Sequence, residues 1–180
     1  PTDEQKGLDP DGRLINKAIA DSLVEQLQSG HDGVIKAVTK SKKKDVQRLP
    51  LSLSSLQVLA GKAFSYDPQT VLDTAQKLYE KKLTTYPRSD CEYLPPNQYG
   101  DRNAILNNLQ NAGDERLAQW ATDADRSIKS RAWNEKKITA HHAIIPTTVA
   151  CNINSLSQEE RNIYFLISQA YIAQFYGEHI

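Results

Sequence analysis

Residues 52–91 read "SLSSLQVLAGKAFSYDPQTVLDTAQKLYEKKLTTYPRSDC", a stretch with two helix starts and an unusual ending. Ser52 suits the N-cap of a helix carrying Leu53, Leu56, Leu59, Ala60, Ala63 and Phe64, whose spacings of three and four make one apolar face. Asp67 followed by Pro68 is a second start, because aspartate caps free amides and proline fits the first helical position. Val71, Leu72, Ala75, Leu78 and Tyr79 then share a face, and the pattern predicts a helix ending near Leu83. Two apolar-faced helices in succession predict a mainly α domain.

The flanking segments extend that reading. Tyr99, Ile105, Leu106 and Leu109 mark another helix, and Leu117 to Trp120 a short one. Ser157 and Glu160 form a capping box ahead of Ile163, Tyr164, Leu166, Ile167, Ala170, Tyr171 and Phe175. Toward the N-terminus, "PTDEQKGLDPDG" (1–12) is polar and turn-rich, an extended entry segment. From Arg13, the residues Leu14, Ile15, Ala18, Ile19, Leu23, Val24 and Leu27 recur at helical spacing until Ser29-Gly30 stops them. "GVIKAVT" (33–39) alternates enough to predict one strand, and "KSKKKDVQRLP" (40–50) reads as a basic linker. The main boundary falls near Pro50, leaving a small α+β piece over 1–48 and a helical domain over 49–180.

Bulk properties restrict function only loosely. The 180 residues hold 22 basic and 22 acidic side chains, so net charge selects no partner, and 39% hydrophobic content is that of a globular protein. There is no apolar run of about 18 residues and no charged-then-apolar leader, so no membrane span or secretory signal is expected. Cys91 and Cys151 stand far apart and are expected as reduced thiols. The four histidines and two cysteines do not pair at zinc-ligand spacings. "TDADRS" (122–127) lacks a third carboxylate and reads as a solvated face; Lys40 to Lys44 could meet a nucleic-acid backbone or form a solvated linker. The chain opens on Pro1 and contains no methionine, which reads as an excised piece of a longer protein.

The chemistry concentrates at Tyr86. Pro87 disfavours the helical region for the residue before it, so Tyr86 is expected to be extended, with its phenol and the Arg88 guanidinium on one side. Arginine grips phosphate through two parallel hydrogen bonds. Tyrosine with a pKa of about 10 is ionised only to roughly one part in a thousand at neutral pH, and a neighbouring cation favours the phenolate and the charge building on an attacked phosphate. A phosphotyrosyl product keeps the energy needed to reverse its formation, which suits strand breakage and rejoining without ATP. A half-buried packing tyrosine with a wet hydroxyl is the alternative. A second constellation, "KKITAHHAIIPTT" (136–148), sets His141 beside His142; histidine can donate to phosphate or move a proton near neutrality. The plain alternative has one histidine packed in the core and its neighbour solvated.

"LTTYPRSDCEYLP" (83–95) followed by "AHHAIIPT" (140–147) resembles the active-site tyrosine region of type IA DNA topoisomerases, with the bacterial topoisomerase III branch most similar. "LPLSLSSLQVLAGKAF" (49–64) and "VLDTAQKLYEKK" (71–82) are similar to the segment leading into that tyrosine. The resemblance is strong over 49–176 and fainter before. It implies that Tyr86 attacks one DNA strand to give a transient 5′-phosphotyrosyl link, that another segment passes the gap, and that the strand is resealed. It implies that Arg88 holds the scissile phosphate, that His141 contacts the phosphate backbone or organises the site, and that His142, Ser54, Ser55, Gln57 and Asp90 lie along the DNA. Thr84 stands where the family often has an aliphatic residue. The family's Mg2+-binding carboxylates lie in a separate Toprim domain that nothing here matches, so no metal site is expected in this chain. The resemblance further implies a helical gate domain preceded by part of the neighbouring arch domain, a monomeric piece partnered by single-stranded DNA and by the Toprim and arch domains, in the bacterial cytoplasm at the nucleoid. Two other readings compete: a tyrosine recombinase, which needs more arginines and histidines around its tyrosine, and a non-catalytic module in which Tyr86 stacks on a base of single-stranded DNA.

Overall fold

A computed structural model describes residues 7–30, 33–41 and 45–177. The chain divides into two compact units, 1–42 and 43–180. In the first, Asn16 caps α1 (Lys17–Gln28) by accepting from the amides of Ala18 and Ile19, and Ser29 ends it ahead of Gly30, whose φ of +74° is left-handed. The turn before it is organised by Asp9, whose carboxylate accepts from the Arg13 amide and side chain. No residue of α1 is buried.

The strand expected over 33–39 does not form: Gly33–Ser41 carries no ladder, and Val34, Ile35 and Val38 are 83%, 81% and 73% exposed. A strand is stable only when its amides and carbonyls meet a neighbour. The bridges between described residues are isolated, among them Leu51 with Ile144 and Thr84 with Pro146, and none of these lies in this segment. The central part of the basic run, residues 42–44, lies outside the described residues.

The second unit is helical. Ser52 caps α2 (Leu53–Phe64), Asp67 caps α3 (Pro68–Glu80), and Ser157 with Glu160 forms the capping box of α6 (Gln158–Ile172), as their side chains anticipate. Between them lie α4 (Arg102–Gln110) and α5 (Glu115–Asp123). The α6 helix packs against α2, α3 and α5, and α4 packs on α5. Leu56, Val71, Leu78, Leu106, Leu117, Ile163, Ile167 and Tyr171 are fully buried in one apolar core, and Ala60 and Ala75 let the backbones approach closely. Burying each large apolar side chain contributes about 1.5–3 kcal/mol. Cys91 and Cys151 are free buried thiols. Among the described residues no helix is long and apolar enough to cross a membrane.

Candidate active site

The chain leaves α3 through a tight turn, which sets the approach to Tyr86. Leu83 N–H donates to Leu78 O at 3.0 Å and Lys82 N–H to Tyr79 O at 2.8 Å, with Lys82 left-handed at φ +61°. This pair of bonds is a Schellman ending, closed by the buried apolar contact positions Leu78 and Leu83. It explains why the helix stops at Glu80, three residues before the expected end.

From there the tyrosine segment is stapled to the histidine segment. Thr147 N–H donates to Leu83 O at 3.0 Å, and Thr85 N–H donates to Ile145 O at 2.9 Å. The Thr85 hydroxyl donates to Ala143 O at 3.1 Å and accepts from Ile145 N–H at 3.0 Å. Ala143 N–H reaches Tyr93 O and Ile144 N–H reaches Leu51 O, while Leu53 N–H, at the start of α2, reaches Ser89 O. These bonds pair buried main-chain groups that no helix or ladder satisfies. They hold two stretches remote in sequence side by side.

The result is a ring cluster. Tyr86 is half-buried, and its ring lies 4.6 Å from the His141 ring and edge-on to Tyr79 at 5.7 Å. On one side of Tyr86 opens a cleft of about 350 Å3 lined by Pro95, Glu135, Ile138, Thr139 and both histidines; on the other a groove of about 500 Å3 runs past Tyr79, Glu80, Lys82, Thr85 and Thr147. Arg88 is exposed beyond the buried Pro87 and makes no hydrogen bond or ion pair among the described residues. The phenol of Tyr86 likewise has no hydrogen-bond partner there. The Tyr86 phenol, packed against an exposed histidine ring at the mouth of a cleft, is open to a ligand, while Arg88 lines neither of the two spaces that border Tyr86.

His141 is exposed and His142 half-buried, so neither is packed fully into the core. Ser54 and Asp90 line a further cleft with Tyr93 and Lys137, and Thr139 donates to Asp90 at 3.4 Å. Ser55 is engaged in the α2 capping box, and the Gln57 amide donates to Pro68 O at 2.9 Å, tying α2 to the start of α3. Sequence reading overlooked Thr85, although it stands next to Tyr86, because a hydroxyl that bonds a distant main chain leaves no spacing pattern. Tyr79 was assigned only to the helix face; it is 40% exposed and meets Tyr86.

A magnesium ion needs several oxygen ligands. Among the described residues no group of three or more histidine, cysteine, aspartate or glutamate side chains could hold a metal. These residues do not fit such an ion.

A family model described as DNA topoisomerase matches residues 3–180. The DNA topoisomerase 3 of Vibrio cholerae is 39% identical over 169 residues, which is 93% of this chain and 26% of that protein. The DNA topoisomerase 3 of Haemophilus influenzae is 41% identical and that of Salmonella typhimurium 38% identical, each over 93% of this chain and 25% of the relative. The chain thus spans about a quarter of the length of the curated relatives it matches. With nearly every residue inside the matched region, the chain belongs to the DNA topoisomerase family.

Proposed function

We propose that this chain carries the tyrosine half of a type IA topoisomerase active site. Tyr86 Oη attacks a backbone phosphorus of single-stranded DNA and loses its proton. The bond to the 3′ oxygen breaks, that oxygen leaves as a hydroxyl after taking a proton, and the 5′ phosphate stays on Tyr86. One phosphodiester replaces another, so the exchange is nearly balanced in energy and needs no ATP; reversal after strand passage reseals the DNA. The Arg88 guanidinium holds the non-bridging oxygens and stabilises their developing charge. His141 donates to the same phosphate or the next. The observation that carries this reading is the 4.6 Å packing of the Tyr86 and His141 rings at the mouth of a cleft.

Ser54 and Asp90 are further candidates for contacts along the strand, as are Ser55 and Gln57, whose hydrogen bonds also hold the α2 cap and the α2–α3 connection. The partners are DNA and further domains of a longer chain, among them a Toprim domain supplying Mg2+, in the cytoplasm at the nucleoid. Residues 1–48 then correspond to part of an arch domain and 49–180 to the gate domain. By itself the chain cleaves DNA poorly; a covalent DNA adduct on the purified 180 residues, lost in Tyr86→Phe, would contradict that. In the full-length polypeptide, Tyr86→Phe should abolish relaxation of underwound DNA. Full activity in that variant would remove the nucleophile and favour a base-stacking module.

A further inference from the structure

The adjacent histidines differ in their partners. His141 is exposed, lies against Tyr86 and forms no hydrogen bond among the described residues. His142 has both ring nitrogens engaged: Nδ1 is 2.8 Å from Ala143 O, and Nε2 is 3.0 Å from the Gln98 amide nitrogen. A carbonyl oxygen only accepts, so Nδ1 carries the proton. An amide nitrogen only donates, so Nε2 presents its lone pair to Gln98. With the amide nitrogen facing the ring, His142 is held as the Nδ1–H tautomer. The other amide atom, Gln98 Oε1, is buried without a partner, and with the amide turned over it would accept from a protonated Nε2 instead.

The Ala143 carbonyl takes its second bond from the Thr85 hydroxyl. A continuous chain of bonds thus runs from Gln98, on the 3₁₀ turn Pro96–Asp101, through His142 and Ala143 to the residue before Tyr86. We propose that Gln98 and His142 are positioning residues: they fix the main chain at 141–143 so that the His141 ring meets Tyr86, and His142 does not itself bind phosphate. The Gln98 amide covers the Nε2 lone pair, which would otherwise repel an anion in the cleft that both histidines line with Glu135. This rests on the reading of Tyr86 and His141 as the reactive pair, but its first test does not.

That test is nitrogen-15 NMR of the 180-residue chain near pH 7. His142 should show a protonated Nδ1 and a bare Nε2, with cross-peaks between the Tyr86 and His141 rings. Gln98→Leu should at least halve those cross-peaks. Gln98→Glu puts an acceptor-only carboxylate at the same place, which meets Nε2 only if it is protonated, so both nitrogens should then carry protons. A wild-type His142 protonated at Nε2, with or without a proton on Nδ1, or ring cross-peaks unchanged in Gln98→Leu, would overturn the proposal. Should Gln98→Leu fail to fold, the wild-type tautomer and Gln98→Glu decide it. In the full-length polypeptide, Gln98→Leu should slow covalent adduct formation about tenfold at unchanged oligonucleotide affinity, as misplacement of a reactive pair does. Lost affinity at an unchanged adduct rate would place these residues in binding and overturn the assignment. If wild-type protein forms no adduct, the Tyr86 reading fails while the NMR result stands by itself.

Discussion

Replacing Thr85 by valine keeps the shape of the side chain and removes only the hydroxyl that joins the tyrosine segment to the histidine segment. Two bonds disappear, one donated to Ala143 O at 3.1 Å and one accepted from Ile145 N–H at 3.0 Å. Their losses are unequal. Ala143 O keeps the His142 Nδ1–H bond at 2.8 Å, whereas the Ile145 amide has no second partner, and Ile145 is only 3% exposed. Each net bond is worth about 1 kcal/mol, and stranding a buried amide costs about 1–3 kcal/mol; one satisfied carbonyl and one orphaned amide together give about 2–3 kcal/mol. Urea unfolding followed at 43–180 should show that loss as a lower midpoint at constant slope, and hydrogen exchange should show the Ile145 amide losing protection. Thr85→Ser keeps the hydroxyl and should cost about 1 kcal/mol or less. A Thr85→Val loss under about 0.5 kcal/mol, or a serine variant as damaged as valine, would refute the staple.

Three further outcomes follow from other contacts. Burial alone would raise the Glu160 carboxyl, but the two Lys81 bonds at 2.7 and 2.8 Å and the Ser157 amide outweigh it and hold the group below its ordinary value of 4.5. Its stabilisation is therefore complete above pH 4.5 and is lost as pH falls through the lowered folded value, so the gap between wild type and Lys81→Met in urea midpoint should narrow from roughly pH 6 down to 3. Thr84 is 1% exposed and its hydroxyl has no partner, so Thr84→Val should stabilise the chain by about 1 kcal/mol in the same unfolding assay; a destabilised variant would mean the hydroxyl is bonded. Arg88→Lys conserves charge but loses the two-pronged grip, and single-turnover adduct formation in the full-length polypeptide should slow about tenfold, with an unchanged rate excluding bidentate phosphate recognition.

The helices were legible because their starts are local chemistry. Ser52, Asp67 with Pro68, and Ser157 with Glu160 act within one turn of themselves, and all three cap as their side chains require. The segment 33–39 was misread because alternation describes a strand's faces and says nothing of a neighbour to pair with. Tyr86, Arg88 and His141 were visible as reactive types in a recognisable order. Their arrangement was not, since it depends on main-chain bonds such as Thr85 to Ile145 that span 60 residues. Gln98 illustrates the same limit: nothing near "PPNQYG" marks the glutamine as a partner of His142, 44 residues on. Ser55 and Gln57 also serve the fold, one in the α2 cap and one in the α2–α3 connection, and no spacing pattern announces either bond.

The central claim is that Tyr86 becomes covalently joined to DNA. The direct measurement incubates the full-length polypeptide and Mg2+ with a single-stranded oligonucleotide, traps the cleaved complex with denaturant, digests it and sequences the nucleotide-bearing peptide by mass spectrometry. The account predicts one modified peptide, spanning "LTTYPR", with the 5′ phosphate on Tyr86 and none in Tyr86→Phe. A nucleotide on any other residue, or an adduct that survives in Tyr86→Phe, would contradict it.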